Sequence, residues 1–254
     1  MVNKNIKSLI LKCPVMGKCY EGVRRAYLNT RRYFKCARLR RYGCEILSKV
    51  EDALKDSGMA YFIDYGTLLG FAREHAFIHH DDDIDYTVLA ETATPKGVYE
   101  RIAKIPGFVF SHAFEFRGQI TELTFRFHKI DVDFFFGYRR KASGMCFYSS
   151  YDPCPCGAEN PDGTMWSAHG RERTSCDKIV RRKFLSTTVS VPENFERTLR
   201  ETYGSWEMPV VGWNDGMNYG QNKVVYLSDF AHQVTLERLL EIGDRVDASK
   251  FETL

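Results

Sequence analysis

The pattern of hydrophobic and polar positions predicts helix before the first strand of the chain. From about residue 20 to residue 55, apolar side chains recur every three or four positions, as Val23, Tyr27 and Phe34 do. This spacing places them on one face of an amphipathic helix. Because glycine weakens a helix interior, we predict one or two helices here, with a break near Gly43.

A strand, a short helix and a second strand are predicted next. The run from Ala60 to Tyr65 is apolar and aromatic, Gly66-Thr67 is suited to opening a helix, and residues 84–89 again have strand character. Thr94-Pro95 is a typical helix start, with a capping hydroxyl and a proline at the first helical position. Three further strands are predicted by alternation or apolar runs, over residues 108–114, 121–128 and 130–136.

The remaining half of the chain is less regular. Residues 137–176 are rich in Gly, Pro, Ser and Cys, so we predict a long loop or small insertion there. A strand ending at Val189–Val191, a helix from Pro192 to Tyr203 and a last helix from about Asp229 to Ile242 follow. No internal repeat or low-complexity tract is present.

Charge is distributed unevenly, although the totals nearly cancel. The 254 residues hold 36 Lys and Arg against 33 Asp and Glu, for a net charge of +3, but residues 1–41 contain twelve basic residues and only one acid, Glu21. A basic segment of this kind suits an anionic membrane surface, an acidic polymer or nucleic acid, and an ordinary solvated helix face is the alternative. No apolar run is long enough for a transmembrane helix or a signal peptide, so we expect a cytoplasmic protein, with peripheral membrane contact as an option.

The eight cysteines are expected to be thiols or metal ligands, because a chain of this size without a signal peptide does not need disulfides to fold. One compact set is a candidate for structural zinc: Cys154, Cys156, His169 and Cys176. Its Cys-Pro-Cys spacing lacks the usual two-residue gap, and free thiols packed as small apolar side chains are the alternative.

Acidic residues are concentrated where the second predicted strand begins. Four of the five residues from Asp81 to Asp85 are aspartates. Alternate side chains of a strand share a face, so Asp83 and Asp85 point the same way, and two such carboxylates suit Mg²⁺ or Mn²⁺. The alternative is an acidic turn that only caps a helix or covers the surface.

Two further features strengthen the prediction of a metal site. Backbone N–H groups at the Gly66-Thr67 turn could receive a phosphate, although a Gly-Thr pair alone is more often a simple helix cap. The strand at 130–136 adds Asp131 and Asp133 on one face, and Asp133 lies deeper in the apolar run. Either one is a candidate third carboxylate, unless it merely pairs with Arg126 or Lys129.

Aromatic residues of the carboxyl-terminal half are candidates for a cage that binds a quaternary ammonium group such as choline, with core packing as the alternative. They are Trp166, Tyr203, Trp206, Trp213 and Tyr219.

At residues 65–85 the chain resembles the LicD/fukutin family. The resemblance lies in Tyr65-Gly66-Thr67-Leu68-Leu69-Gly70-Phe71-Ala72-Arg73, in Phe77-Ile78 and in Asp81-Asp82-Asp83-Ile84-Asp85, and it continues in Phe184, Val191-Pro192, Leu199, Tyr203-Gly204 and Pro209. Where the family pattern often has Pro-Trp before the acids, this chain has His79-His80.

The resemblance implies an α+β fold, with a nucleotidyltransferase-type mixed sheet flanked by helices. It implies three parts: basic amino-terminal helices at 1–44, a catalytic domain at 45–210 that includes the irregular insertion at 137–176, and a carboxyl-terminal helical segment at 211–254. By position, it assigns metal binding and catalysis to Asp83, Asp85 and Asp133, and donor binding to Gly66, Thr67 and Arg73.

The activity it implies is metal-dependent transfer of phosphocholine or a phospho-alditol. The donor would be CDP-linked choline, glycerol or ribitol, and the acceptor a hydroxyl of a glycan or glycolipid, for example in a cell-surface polysaccharide. Two alternatives remain open at this point. One is a nucleotidylyltransferase that uses an NTP and releases pyrophosphate, and the other is a non-catalytic polyanion-binding protein; nucleic acid is the less expected partner.

Overall fold

A computed structural model of the protein describes residues 14–154, 160–174, 176, 178–210 and 225–252. Its first element is one continuous helix of 41 residues, α1 (Pro14–Leu54). The predicted break near Gly43 is wrong, because this glycine serves close packing instead. A Cβ atom at Gly43 would lie 2.4 Å from the ring of Phe77, so the missing side chain lets the Phe77 loop pack against α1.

The elements after α1 alternate between short helices and strands. The strand–helix–strand unit is confirmed as β1 (Tyr61–Ile63), α2 (Tyr65–Leu69) and β2 (Asp83–Leu89), with a single π-helical turn at Gly70–Glu74 between α2 and β2. The remaining elements are α3 (Pro95–Ile102), β3 (Val109–Phe116), β4 (Gln119–Phe127), β5 (Ile130–Arg139), β6 (Cys146–Pro153), β7 (Met165–Arg173), β8 (Ile179–Phe184), β9 (Thr187–Pro192), α4 (Phe195–Tyr203), β10 (Val225–Val234), α5 (Leu236–Ile242) and a 3₁₀ turn at Ala248–Phe251.

Six strands form a closed antiparallel barrel. Around the barrel the order is β5, β4, β3, β10, β7 and β6, and pairing of β6 with β5 closes it. The strand β2 lies outside this ring and pairs in parallel with β5, while β1 pairs antiparallel with β2. A separate hairpin of β8 and β9 packs on α1 and β1. The strand β5 is therefore shared by the barrel and by the acid-bearing strand β2.

The predicted fold class is wrong. The sequence predicted an α+β fold, with a nucleotidyltransferase-type mixed sheet flanked by helices and an irregular insertion at 137–176. The structure instead contains a closed six-stranded antiparallel barrel with few helices. The supposed insertion supplies β6 and β7, which pair along eight consecutive positions from Cys146 and Arg173 to Pro153 and Trp166. Backbone pairing between distant segments overrode a composition that is typical of loops.

Two local features allow the barrel to close. A Cβ atom at Gly137 would lie 2.8 Å from the Tyr148 ring, so only glycine lets β6 cross β5 this closely. The helix predicted from Asp229 begins only at Leu236, because residues up to Val234 form β10 between β3 and β7. The barrel interior is aromatic, with Phe116, Phe147 and Phe251 stacked inside it.

The second half of the helix α1 is anchored to the rest of the fold. Glu51 is buried and accepts hydrogen bonds from the Tyr61 hydroxyl (2.9 Å), Arg181 (2.7 Å) and the backbone N–H of Ser190 (2.9 Å), which ties α1 to β1 and to the hairpin. The first half remains exposed, with Val23 72% and Tyr27 65% accessible. Within the described residues, no helix combines the length and apolar character needed to cross a bilayer.

Candidate active site

Parallel pairing of β2 and β5 brings the predicted carboxylates together. Asp83 lies opposite Asp131 and Asp85 lies opposite Asp133. One carboxylate oxygen from each of Asp83, Asp85 and Asp133 lies within 4.8 Å of the other two. Among the described residues this is the only group of three or more acidic, His or Cys side chains close enough to hold one metal ion.

Burial makes these carboxylates costly to ionise without a cation. Burial, followed by the charge of Asp82, raises the pKa of Asp83 to about 6. Burial, followed by the charge of Asp83, raises the pKa of Asp133 to about 8. The pKa of Asp85 lies well above its ordinary value, again through burial first and the Asp83 charge second. A divalent cation would relieve this repulsion, so the donor set fits a hard metal ion.

A fourth acid adjoins the group. Burial and then the charge on Asp83 raise the pKa of Asp81 to about 8, and its Oδ2 atom is buried without a hydrogen-bond partner among the described residues. This oxygen lies over Gly66, where a Cβ atom would be only 2.7 Å away. Gly66 therefore lets the acidic loop pack directly on the turn before α2, and the orphaned oxygen is a further sign of a cation site.

The structure separates the two acids of β5. Asp131 is paired with Lys35 of α1 (3.2 Å) and with Arg126 of β4 (2.6 Å). Asp133 accepts a hydrogen bond from the Thr124 hydroxyl at 2.6 Å and lies in the carboxylate group. The alternative that one aspartate of this strand is a simple ion-pair partner thus applies to Asp131, and Asp133 is the better third ligand.

The turn at residues 64–67 supports the backbone of Asp85. The Thr67 side chain is fully buried, and its hydroxyl accepts the Asp85 N–H at 3.0 Å. The Asp64 N–H donates to the Asp85 carbonyl at 3.0 Å. Both backbone groups of this metal-ligand candidate are therefore held by the strand–helix turn, and a donor contact from Gly66 or Thr67 stays a prediction.

A buried ion pair lies beneath that turn. Arg173 of β7 makes a two-point contact with the Asp64 carboxylate, with Nη1 to Oδ1 at 2.8 Å and Nη2 against Oδ2. Asp64 also accepts from the Tyr65 N–H (2.8 Å) and from the Thr87 hydroxyl (2.5 Å), and the guanidinium lies over the Tyr148 ring. Asp64 and Arg173 are each about 1% exposed. The barrel is thus connected through Asp64 to the strand that carries the acids.

Arg73 lies at the edge of a cavity of about 470 Å³ next to the acidic loop. Its Nε bonds Glu74 at 2.9 Å, and its Nη1 donates to the Trp206 carbonyl at 3.3 Å. His80 also lines this cavity, and Arg32 of α1 donates to its carbonyl at 3.2 Å. The structure therefore places Arg73 beside the acids but faces it toward this cavity, so its donor contact remains a prediction.

Several site residues were not found by sequence reasoning. Lys35 bonds both Asp82 and Asp131 at 3.2 Å, so one residue of the basic segment belongs to the acidic site. Glu122 is 8% exposed, and burial, followed by the Asp133 charge, raises its pKa well above the usual range. Glu122, Thr124 and Arg126 alternate along β4 and so share one face of the sheet, and this pattern could have indicated that Glu122 lies on the same face as Asp133. No sequence signal linked Lys35 to the acids.

The candidate zinc residues of the described part do not come together. The Cys154 thiol lies 3.4 Å from the Ser167 hydroxyl, His169 lies 3.4 Å from Asp152, and the Cys176 thiol donates to the Lys178 carbonyl. Cys156 lies outside the described residues. Among the described residues these side chains do not form a zinc-binding group, and zinc binding by the full set stays a prediction.

The predicted aromatic cage is divided. Tyr203 and Trp206 line the cavity beside Arg73, whereas Trp166 packs against Phe114 of the barrel with ring centroids 5.0 Å apart. The other two members, Trp213 and Tyr219, lie outside the described residues.

Comparisons with known proteins agree with the resemblance seen in the sequence. Residues 58–194, more than half of the chain, match the family described as LicD/FKTN/FKRP, nucleotidyltransferase domain. A Caenorhabditis elegans protein described as "Uncharacterized protein W02B3.4" is 30% identical over 125 residues, which are 48% of this chain and 31% of that protein. The chain thus spans about a third of the length of the curated relative it matches. The matched region contains the acidic strand pair, α2 and the barrel strands β3 to β7. The chain belongs to the LicD/FKTN/FKRP family.

Proposed function

We propose that the protein is a phosphotransferase that depends on Mg²⁺ or Mn²⁺ and uses a CDP-linked donor. It moves phosphocholine or a phospho-alditol to a hydroxyl group of a glycan or glycolipid. The observation that carries this proposal is the convergence of the Asp83, Asp85 and Asp133 oxygens within 4.8 Å of one another. Three closely spaced carboxylates with raised pKa values form a ligand set that suits a hard divalent cation.

The chemistry follows from the positions of these side chains. A bound divalent ion would supply charge neutralisation to the donor's pyrophosphate. The acceptor oxygen forms a bond to the donor's distal phosphorus, the bond from that phosphorus to the bridging oxygen breaks, and CMP leaves. Asp133 is the candidate to accept the proton of the acceptor hydroxyl, because its carboxylate belongs to the group of three.

The acceptor side of the proposal draws on α1. Met16, Val23, Tyr27 and Phe34 follow one another at spacings of seven, four and seven, which puts them on one face, and each is more than half exposed. Basic residues such as Arg24 and Arg31 flank this stripe. We propose that it rests on an anionic membrane surface that presents a glycolipid acceptor, since exposed apolar and basic side chains on one helix suit such a surface.

One assay tests the reaction and its main rival together. The protein is incubated with CDP-choline, CDP-glycerol or CDP-ribitol plus Mg²⁺ or Mn²⁺, and CMP is measured. We expect CMP from one of these donors, abolished by chelation and by Asp83→Asn, but retained in Asp131→Asn, whose acid is already paired with Lys35 and Arg126. Pyrophosphate from CTP or ATP, with no CMP from any CDP-linked donor, would replace this proposal with the nucleotidylyltransferase.

A further inference from the structure

The three carboxylates Asp83, Asp85 and Asp133 do not line the cavity beside the acidic loop. Its volume of about 470 Å³ is typical of small-molecule sites. Its lining includes the basic groups Arg32, Arg73 and His80 together with the aromatic residues Tyr203 and Trp206. Leu69, Ile78, Met208 and Pro209 complete an apolar lining. The cavity therefore combines cationic groups with flat aromatic surfaces.

Electrostatics decide the sign of the ligand. Burial, followed by the charges of Arg32 and Arg73, lowers the pKa of His80, so the positive charge of these arginines acts where His80 lines the cavity. The indole N–H of Trp206 is buried without an acceptor among the described residues. Guanidinium and indole groups can only donate hydrogen bonds. The cavity thus offers donors and positive charge to a ligand that supplies acceptors and negative charge.

The same observations count against a cage for choline. A quaternary ammonium group needs aromatic faces without competing cations, because its attraction to a ring is only about 0.5–2 kcal/mol. Here two arginines line the same space as Tyr203 and Trp206. Repulsion between like charges at close range opposes that small gain. An anion with a flat ring can contact both the basic and the aromatic side chains, whereas a cation is favoured only by the aromatic ones.

We propose that this cavity binds the nucleoside phosphate end of the donor, with Arg32 and the Trp206 N–H as phosphate or base contacts in addition to Arg73. The inference rests on the proposed function and names residues for it. Only two residues separate His80 from Asp83 in the sequence, so their Cα atoms lie at most about 11 Å apart. A diphosphate can therefore extend from the cavity to the carboxylates, and the transferred group lies beyond the acids.

Binding is tested on the full chain by calorimetry with CMP in the presence of a chelator. We expect CMP to bind more tightly than inorganic phosphate or cytidine, and choline not to bind. Arg32→Gln should weaken CMP binding by about tenfold or more, since it removes a charged donor. The matched control is Arg31→Gln on the same helix, an exposed position outside the cavity lining, which should change the affinity less than about twofold.

A second variant guards against a local folding effect of Arg32→Gln. Trp206→Phe keeps an aromatic ring but removes the N–H, and we expect about fivefold weaker CMP binding with an unchanged melting temperature. Choline binding without CMP binding would overturn the inference. So would equal CMP affinity in the wild type, Arg32→Gln and Trp206→Phe proteins.

A separate titration with Mn²⁺ distinguishes failure of this inference from failure of the proposed function. If Mn²⁺ binds to the wild type and not to Asp83→Asn, while CMP binding ignores Arg32 and Trp206, the cavity assignment alone is wrong. If CMP binds through these residues but no CDP-linked donor is turned over, the cavity remains a nucleoside phosphate site and the proposed reaction is wrong.

Discussion

Asp133→Asn should make the metal-free protein more stable while it removes metal binding. Asp133 has a carboxylate oxygen within 4.8 Å of those of Asp83 and Asp85, and its Oδ1 accepts a hydrogen bond from the Thr124 hydroxyl at 2.6 Å. Asparagine has the same shape and keeps an acceptor for Thr124, but it cannot carry the charge that burial opposes. The substitution therefore mimics the protonated acid and deletes one ligand.

The magnitude follows from the raised pKa. The pKa of Asp133 is about 3.8 in the unfolded chain and about 8 in the folded protein. Between these two pH values the side chain is ionised in the unfolded chain but still protonated in the folded protein. The free energy of unfolding therefore falls as the pH rises through this interval. At pH 7 the pH lies about three units above the pKa of the unfolded chain. At about 1.4 kcal/mol per unit, the raised pKa therefore lowers the free energy of unfolding by at most about 4 kcal/mol. Mutual adjustment of the neighbouring carboxylates reduces this limit, and we expect a gain of about 1–2 kcal/mol, or roughly 2–8 °C in Tm for a chain of this size.

Thermal unfolding between pH 4 and pH 8, with chelator or with Mg²⁺ or Mn²⁺, measures this effect. The difference between Asp133→Asn and the wild type should vanish near pH 4 and grow toward pH 8 when metal is absent. Saturating metal should stabilise only the wild type, by about 3 kcal/mol at a hundred times the Kd. Asp131→Asn is the control and should retain the metal response. A metal-free Asp133→Asn protein less stable than the wild type at pH 8 would refute the reasoning.

Three further predictions concern the support of the site and its surroundings. Thr67→Val should lose the hydrogen bond to the Asp85 N–H, which should lower the free energy of unfolding by about 1–3 kcal/mol. It should also weaken Mn²⁺ binding, which calorimetry measures. An unchanged Mn²⁺ affinity would contradict a role of Thr67 in supporting Asp85. Asp64→Ala should leave the Arg173 guanidinium buried without its carboxylate partner. We expect the free energy of unfolding, measured by urea denaturation, to fall by about 3–5 kcal/mol. A loss below about 1 kcal/mol would show that the fold does not need this ion pair. Tyr27→Ser should reduce sedimentation with phosphatidylserine vesicles severalfold without changing Tm, because this side chain is 65% exposed; the proposed membrane contact fails if binding to neutral vesicles is equally strong.

The clustering of the three carboxylates could be predicted because its information is local. Asp83 and Asp85 alternate within one strand and Asp133 lies in another, and each strand has an apolar pattern that can be read from neighbouring residues. What the sequence left open was the choice between Asp131 and Asp133. That choice depends on Lys35, which reaches the acids from a helix 96 residues earlier in the chain.

The closed barrel could not be predicted because its determinants are distant pairings. β6 and β7 come from a segment whose Gly, Pro and Ser content is typical of loops, and β10 pairs with β3 across more than a hundred residues. The ion pair of Asp64 and Arg173 joins residues 109 positions apart. Local propensity carries no information about such contacts, so the predicted start of the last helix at Asp229 and the loop predicted at 137–176 were both wrong, although the helix itself is present at Leu236–Ile242.

The double role of β5 limits which sequence changes the chain can tolerate. Asp133 lies in the half that pairs with β2, and Tyr138 lies in the half that pairs with β6. A single-residue insertion or deletion between them would turn one half of the strand over, because successive side chains point to opposite faces. Either the Asp133 carboxylate would leave the group of three acids or the barrel seam would lose the pairing of Tyr138 with Phe147. Relatives with the same chemistry should therefore vary in loop length around this strand and keep the spacing within it constant.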